Sequence, residues 1–233
     1  MFHVNHEGPR RELSAGLFSS ASPDAERTAM QLPDGFTAIP PGKIAAIATV
    51  LDMTAPPAGL EPLPGEANWQ FQRVTEPDPA WYEALYRRIG GNHLWYSRLA
   101  LTAEELAATI RHPDVAIHTL DVDGVPQGLV ELDFRGDGAC ELVFFGVTEV
   151  LIGTRAARFM MGRAIAAAFA RPIDKLWLHT NTMDHPKAMA FYRRSGFTPV
   201  RQMVEVADDP RLTGLFDRQA APHFPMIGER AAG

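Results

Sequence analysis

Three strand-length segments joined by two tight-turn signals constrain this chain more than any other feature. Val115–Val122 alternates apolar and polar residues, Asp123-Gly124 follows, and a second strand runs through Phe134. Arg135-Gly136-Asp137-Gly138 then turns into a third strand, Cys140–Val147. Asp-Gly between alternating segments signals a hairpin, because the tight turn needs left-handed backbone at both central residues. The middle of the chain therefore reads as an antiparallel meander. A helix pattern follows from about Thr154 to Ala170, then a strand Lys175–His179, a helix Pro186–Ser195 and a strand Thr198–Val206. Upstream, Trp69–Val74 reads as a strand. Asp78-Pro79 opens a helix that Gly90-Gly91 stops after Ile89, and Thr102-Ala-Glu-Glu-Leu opens another that ends near His112-Pro113. The order β-α-α-β-β-β-α-β-α-β predicts an α+β fold on a mixed sheet, not a doubly wound dinucleotide fold.

Both flanks of this region differ from it. Residues 1–29 are polar, rich in small residues and without period, the composition of a disordered extension; Met30 is a candidate alternative start. Within 30–68 one apolar run, Ile44–Leu51, lies between Pro40-Pro41-Gly42 and Pro56-Pro57. It reads as a short strand in a structural arm packed on the 69–206 domain, with a dimerisation strand or a lid as the functional alternatives. Residues 207–233 read as a C-terminal tail. The length of 233 residues supports a sizeable core. One cysteine leaves no intrachain disulfide and no multi-cysteine zinc site, and implies a reducing compartment, hence the cytoplasm. A formal charge of −6 argues against a nucleic-acid binder, and no apolar run is long enough to span a membrane.

The chemistry concentrates where the third strand runs into the Ala-rich helix. Gly153 sits in the connecting loop, Ala156 and Ala157 are small, and Arg155 and Arg158 put cations in the first turn. Free N–H groups and the positive end of the helix favour an anion there, and cations at that end are stabilised by one. Solvated arginines on an ordinary helix are the alternative. A second segment, Asp184-His185-Pro186-Lys187-Ala188-Met189-Ala190-Phe191-Tyr192-Arg193-Arg194-Ser195-Gly196-Phe197, is a short helix closed by glycine. Here the sequence resembles the GNAT superfamily of acetyl-CoA-dependent N-acetyltransferases. Ala188, Phe191, Tyr192, Gly196 and Phe197 match its late signature, with His185 at the usual asparagine. Gly153 and Ala157 match its early Q/R-x-x-G-x-G/A loop, while Ile152 and Arg155 depart from it. The likeness covers roughly 69–206.

The resemblance implies a mostly antiparallel GNAT-like sheet with splayed middle strands and helices on both faces. It implies acetyl-CoA as cosubstrate. Backbone of Phe145 and Val147 would meet the pantetheine arm at the parting of the strands. Gly153, Thr154, Arg155, Ala156, Ala157 and Arg158 would hold the pyrophosphate, and His185 would donate to the cofactor. Tyr192 resembles the acid that protonates the departing thiolate; packing of its ring in the core is the alternative. Glu141 is the base candidate. By the strand period it shares a face with Val143, Phe145 and Val147, and its aromatic neighbours would raise its pKa. A solvated strand-end glutamate is the alternative, with Glu131 and Asp133 as substitutes. His93, Trp95 and Tyr96, between the first two helices, combine aromatic and polar groups as an acceptor-recognition loop would.

His179, Asp184 and His185 match no tight metal spacing, so no metal is expected. Cys140 lacks a base partner and is not expected to be a nucleophile. The expected activity is acetyl transfer to a primary amine by direct attack in a ternary complex. The acceptor would be a small molecule or a peptide, and a homodimer is among the expected assemblies. The rival is a non-catalytic acyl-CoA-binding or regulatory module, supported by the departures at Ile152 and Arg155.

Overall fold

The computed structural model describes residue 32, residues 34–58 and residues 64–228, so the expectation for residues 1–29 lies outside the described residues. The meander forms as its turns dictate. β3 (Val115–Val122), β4 (Val125–Gly136) and β5 (Ala139–Val147) pair antiparallel in sequence. Asp123 and Gly124 both take positive φ, 50° and 77°, as the two-residue turn requires. Together with β1 (Lys43–Met53), β2 (Trp69–Val74), β6 (Lys175–Asn181) and β7 (Thr198–Asp208), they build one seven-stranded sheet in the order β2-β3-β4-β5-β6-β1-β7. Only β5 and β6 run parallel, because the helix α3 (Ala156–Phe169) carries the chain back between them.

The segment expected as an arm supplies β1, an inner strand. It is antiparallel to β6 on one side and β7 on the other. An apolar run without alternation is what a strand covered on both faces looks like, and that pattern does not reveal which strands flank it.

Helices cover the two faces unequally. α1 (Pro79–Gly90) and α2 (Ala103–Ile110) bury Tyr82, Leu85, Tyr86, Ile89, Leu106 and Ile110 on the Ile117 and Leu129 side. Both start as the sequence says: Asp78 accepts from the Trp81 N–H at 2.9 Å, and Thr102 and Glu105 close a reciprocal capping box. On the opposite face α3 packs Phe159, Met160, Ala164, Ile165 and Ala168 over Leu132, Leu142, Leu176 and Leu178. The short α4 (Ala188–Arg194) adds Met189, Phe191 and Tyr192. The segment expected as a tail is organised through residue 228. Arg211 is buried beside Asp209 and donates to the Phe224 carbonyl at 2.9 Å, and Ile227 accepts from the Gly42 N–H at 2.7 Å.

One buried group sets a pH limit on stability. The His118 ring stacks on Phe71, with centroids 5.0 Å apart. Burial, helped by the Arg73 charge, pushes this imidazole from 6.5 down to about 4. The fold thus prefers the neutral ring, while the unfolded chain takes up a proton below 6.5. Stability is full above pH 6.5 and falls by at most about 3 kcal/mol as pH drops to 4. Denaturant titrations of the His118→Phe variant are expected to lose that slope; an unchanged slope would place it elsewhere.

Candidate active site

The sheet opens in its middle. β5 and β6 form ladder pairs only at Ala139–Lys175, Cys140–Leu176 and Glu141–Trp177. Past that point β5 continues to Val147 and β6 to Asn181 with no pairing between them. A bulge lies at the start of the opening. Leu142 faces Leu132 and Phe144 faces Glu131 across β4, which leaves Val143 as an extra residue on β5. A bulge bends its strand and increases the local twist, which turns β5 away from β6. The expected splay is present, and the extra residue is its local cause.

The same bulge corrects the face assigned to Glu141. Strict alternation put Glu141 with Phe145 and Val147. Across β4, Glu141 pairs with Asp133 and Phe144 with Glu131, so these residues look toward α1. Phe145 and Val147 instead pack with the α3 cluster. One inserted residue inverts the parity of everything after it.

A cavity of about 1050 Å³ lies over the opening on the α1 side of the sheet. Glu141, Tyr192, His93, Trp95, Tyr96 and Phe145, each singled out from the sequence, all line it. Tyr192 belongs to α4 on the opposite face and reaches this cavity where the strands have parted. The 93–96 segment is tied across the rim. His93 Nδ1 lies 3.0 Å from the Met183 carbonyl, Trp95 Nε1 donates to Asp184 at 3.0 Å, and the Tyr96 hydroxyl donates to Glu205 at 3.2 Å. Trp95 also fits only because its neighbours are small: a Cβ on Gly90 would meet its ring at 2.4 Å.

The titratable groups differ in what they can do. Burial pushes the Tyr192 phenol well above its ordinary value of 10, and the Asp184 charge adds to this. It therefore keeps its proton at every working pH. Its ring is held by Phe145, Phe191 and Phe197. His179 Nδ1 lies 3.6 Å from Glu141 Oε1. Burial lowers this imidazole, but the Glu141 carboxylate, with the Glu205 and Asp184 charges, outweighs it and the pKa is raised. The substitutes for Glu141 are engaged elsewhere. Glu131 is fully buried against Arg98 and Tyr82, and Asp133 is chelated by Arg135. Cys140 is buried, and burial pushes its thiol up, away from nucleophilic use.

The start of α3 lies beyond the open end of β5. Gly153 has φ +83° and open space where a Cβ would be. The Thr154 hydroxyl accepts from the Ala156 N–H at 3.1 Å, so that donor is occupied within the loop. The side chain of Ala156 is buried in the core, while Arg155 and Arg158 are exposed. Arg155 is not solvated as a lone cation: it pairs with Glu66. His185 does not line the large cavity, though its ring meets that of His93 edge-on with centroids 6.3 Å apart. It lines a smaller one of about 280 Å³ near the start of α4, and its Nδ1 accepts from the Lys187 N–H at 3.1 Å.

Sequence reading missed several groups in the large cavity. His179 entered it only as a weak metal ligand and Trp177 not at all; Arg98 entered only as the last residue of the segment from Asn92 read as a recognition loop, and Glu205 not at all. The signal for the first two was available, since Leu176-Trp177-Leu178-His179 alternates and puts Trp177 and His179 on one face. The cavity residues of β1, Ile44, Ala46, Val50 and Asp52, depend on pairings that no local pattern reveals. Among the described residues, no three His, Cys, Asp or Glu side chains are placed to hold a metal ion, and no helix is long and apolar enough to cross a membrane.

Comparison with known proteins agrees with this architecture. No curated protein matches the chain. A GCN5-related N-acetyltransferase from Sphaerobacter thermophilus is 15% identical, with TM-score 0.53 over 70% of this chain and 52% of its own. A functionally unknown conserved protein from Staphylococcus epidermidis is 14% identical, with TM-score 0.53 over 72% of this chain and 64% of its own. A GCN5-related N-acetyltransferase from Kribbella flavida is 20% identical, with TM-score 0.50 over 74% and 63%. The chain thus spans between half and two thirds of the length of these solved structures, and at such identities the likeness is one of fold. The sequence model of the acetyltransferase (GNAT) family matches residues 70–197, from β2 to the end of the α4 turn. With its opened sheet and that match over more than half its length, the chain belongs to the GNAT acetyltransferase family.

Proposed function

We propose that the protein transfers acetyl from acetyl-CoA to a primary amine by direct attack in a ternary complex. The observation that carries this is the meeting of Tyr192, from one face of the sheet, with Glu141, from the other, on one cavity at the parting of β5 and β6. A thioester brought through the gap beside Phe145 would present its carbonyl to an amine in the cavity and its sulfur to the phenol. The backbone edge of β5 from Leu142 to Val147 has no β6 partner and can pair with the pantetheine amides. Free thiol release from acetyl-CoA over a panel of amines tests the reading. Turnover on at least one amine supports it. Tight binding of acetyl-CoA without turnover on any amine favours the non-catalytic module, for which the Glu66–Arg155 pair and the departures at Ile152 and Arg155 speak.

In this reading the pyrophosphate lies at the start of α3, against Gly153 and the first-turn N–H groups other than that of Ala156, which Thr154 occupies. Gly153→Asp is expected to weaken CoA binding roughly 10- to 100-fold by setting a carboxylate against the phosphates, a cost reduced by the exposure of the loop. Calorimetry on the folded variant measures it; unchanged affinity would move the phosphates elsewhere.

A further inference from the structure

Both edges of β1 are taken, by β6 and β7, so strand pairing between chains has to use an outer strand. We infer that the free edge of β7 pairs with the same edge of a second copy, antiparallel about a two-fold axis at Met203. This stands apart from the acetyl-transfer reading. The sheet ends at β2 on one side and β7 on the other. β2 has six residues, and a short edge strand offers little to pair with. β7 has eleven, and among the described residues its only ladder partner is β1. Ile47, Val204 and Val206 are 42%, 40% and 50% exposed. They form a stripe, because Ile47 pairs with Val204 and Val206 is the next residue on that face of β7. A long, exposed edge beside an apolar stripe is a template for another strand.

The direction of the backbone groups follows from the bonds at the ends and flanks of β1. The Asp209 N–H donates to the Gly42 carbonyl at 2.9 Å, so residue 209 faces β1. Ile47 faces β6: its carbonyl accepts from the Thr182 N–H at 3.1 Å, and its N–H donates to the Thr182 hydroxyl at 3.1 Å. The β1–β7 register runs without a shift from Lys43–Asp208 to Val50–Arg201. By alternation Arg201, Met203 and Glu205 turn N–H and C=O to β1, while Gln202, Val204 and Val206 turn theirs outward. Pro199, with no N–H to give, ends the usable edge.

Charge selects the register. Directly opposed residues of an antiparallel pair either both bond or both do not, so the dyad falls on a residue and not between two. A dyad at Gln202 or Val204 sets Arg201 and Glu205 against uncharged residues. A dyad at Arg201 or Glu205 sets a charge against itself. Only the dyad at Met203, of these five, sets Arg201 of each copy opposite Glu205 of the other. That pair is of the non-hydrogen-bonded kind, in which side chains come closest. The same register opposes Gln202 to Val204, two outward residues that exchange both backbone bonds, and brings the two Val204 side chains together diagonally. Arg201 is exposed and has no ion-pair partner among the described residues, so it is available. Glu205 already accepts from Tyr96 and Asn181, and a carboxylate has room for a third donor. Because Glu205 and Arg201 also line the large cavity, each copy's strand would lie beside the β7 wall of the other's site. An interface carried by one strand edge belongs to the small, reversible class, so the dimer is concentration dependent.

The test is sedimentation velocity with residue-resolved amide exchange on the full chain over a dilution series. Sedimentation should move from one chain toward two as concentration rises. The Gln202 and Val204 amides should exchange roughly tenfold more slowly once dimer dominates, while Met203 and Glu205, already bonded to β1, should not change. Val204→Pro leaves the β1 ladder intact, since that nitrogen points outward, and should abolish the dimer. Arg201→Glu should weaken it roughly 10- to 100-fold, and adding Glu205→Arg, which exchanges the two charges, should restore it. A single chain at every concentration up to roughly 1 mM would overturn the inference. So would a dimer in which the Gln202 and Val204 amides do not slow, which would place the contact on another face. Protection of those two amides at every dilution would also overturn it, since the chain would then cover its own edge. A dimer indifferent to both Val204→Pro and Arg201→Glu would do the same. The exchange pattern is read on wild type, so the outcome does not depend on any variant folding.

Discussion

Replacing Tyr192 by phenylalanine is expected to lower turnover roughly 10²- to 10⁴-fold, the usual cost of removing an acid–base group, while acetyl-CoA affinity stays within about twofold. The substitution keeps the ring, and with it the packing against Phe145, Phe191 and Phe197. Only the hydroxyl goes. Burial pushes this phenol far above its ordinary value, which at first suggests a poor acid. The effect of that shift is selective. A phenol held so high gives nothing to a resting thioester, whose sulfur carries no charge. In the proposed reaction it would stabilise the sulfur as the C–S bond breaks, and an interaction made only in the transition state raises kcat rather than binding. The measurement is single-turnover acetyl transfer beside calorimetric acetyl-CoA affinity. A variant that keeps most of its rate, with the chemical step limiting, would return Tyr192 to a packing role.

Local chemistry decided what the sequence could reveal. Asp123-Gly124, Asp78-Pro79 and Thr102–Glu105 each specify backbone within a few residues, and each element begins or turns where they say. Tyr192 and the 93–96 segment were legible for a similar reason, since Gly196 closes the α4 turn and Gly90-Gly91 stops α1 just before His93. Two things stayed hidden. The place of β1 depends on partners more than a hundred residues away, Leu176–Asn181 and Thr198–Asp208, and an apolar run carries no address. The bulge at Val143 is set by how β5 meets β4, and no glycine marks it, so strict alternation sent Glu141 to the wrong face. Once the register is known, His179 follows at once: it is the first β6 residue on the cavity face beyond the last ladder pair.

Arg98→Met is expected to destabilise the fold by about 3–5 kcal/mol, because it would strand a carboxylate. Glu131 is 0% exposed and Arg98 4%, and the Tyr82 hydroxyl donates to the other Glu131 oxygen. The guanidinium also lies 5.0 Å from the centre of the Phe144 ring. Without it, one phenol would have to satisfy a buried charge by itself. For a domain of this size the loss corresponds to a melting point lower by roughly 10 °C. Arg98→Met combined with Glu131→Leu removes both charges and is expected to recover most of the deficit, since an apolar replacement of a buried pair is often neutral. If the double variant melts no higher than the single one, the cost comes from lost packing on Phe144, and the charge argument fails. The location gives the pair its interest. Glu131 sits across from Phe144, at the bulge that turns β5 from β6, and Arg98 and Tyr82 bring the 93–98 segment and α1 to the same point. A clamp there fixes where the sheet parts. The double variant should therefore fold well yet hold that opening less rigidly, and its amide exchange over Leu142–Gly146 should be faster than in wild type.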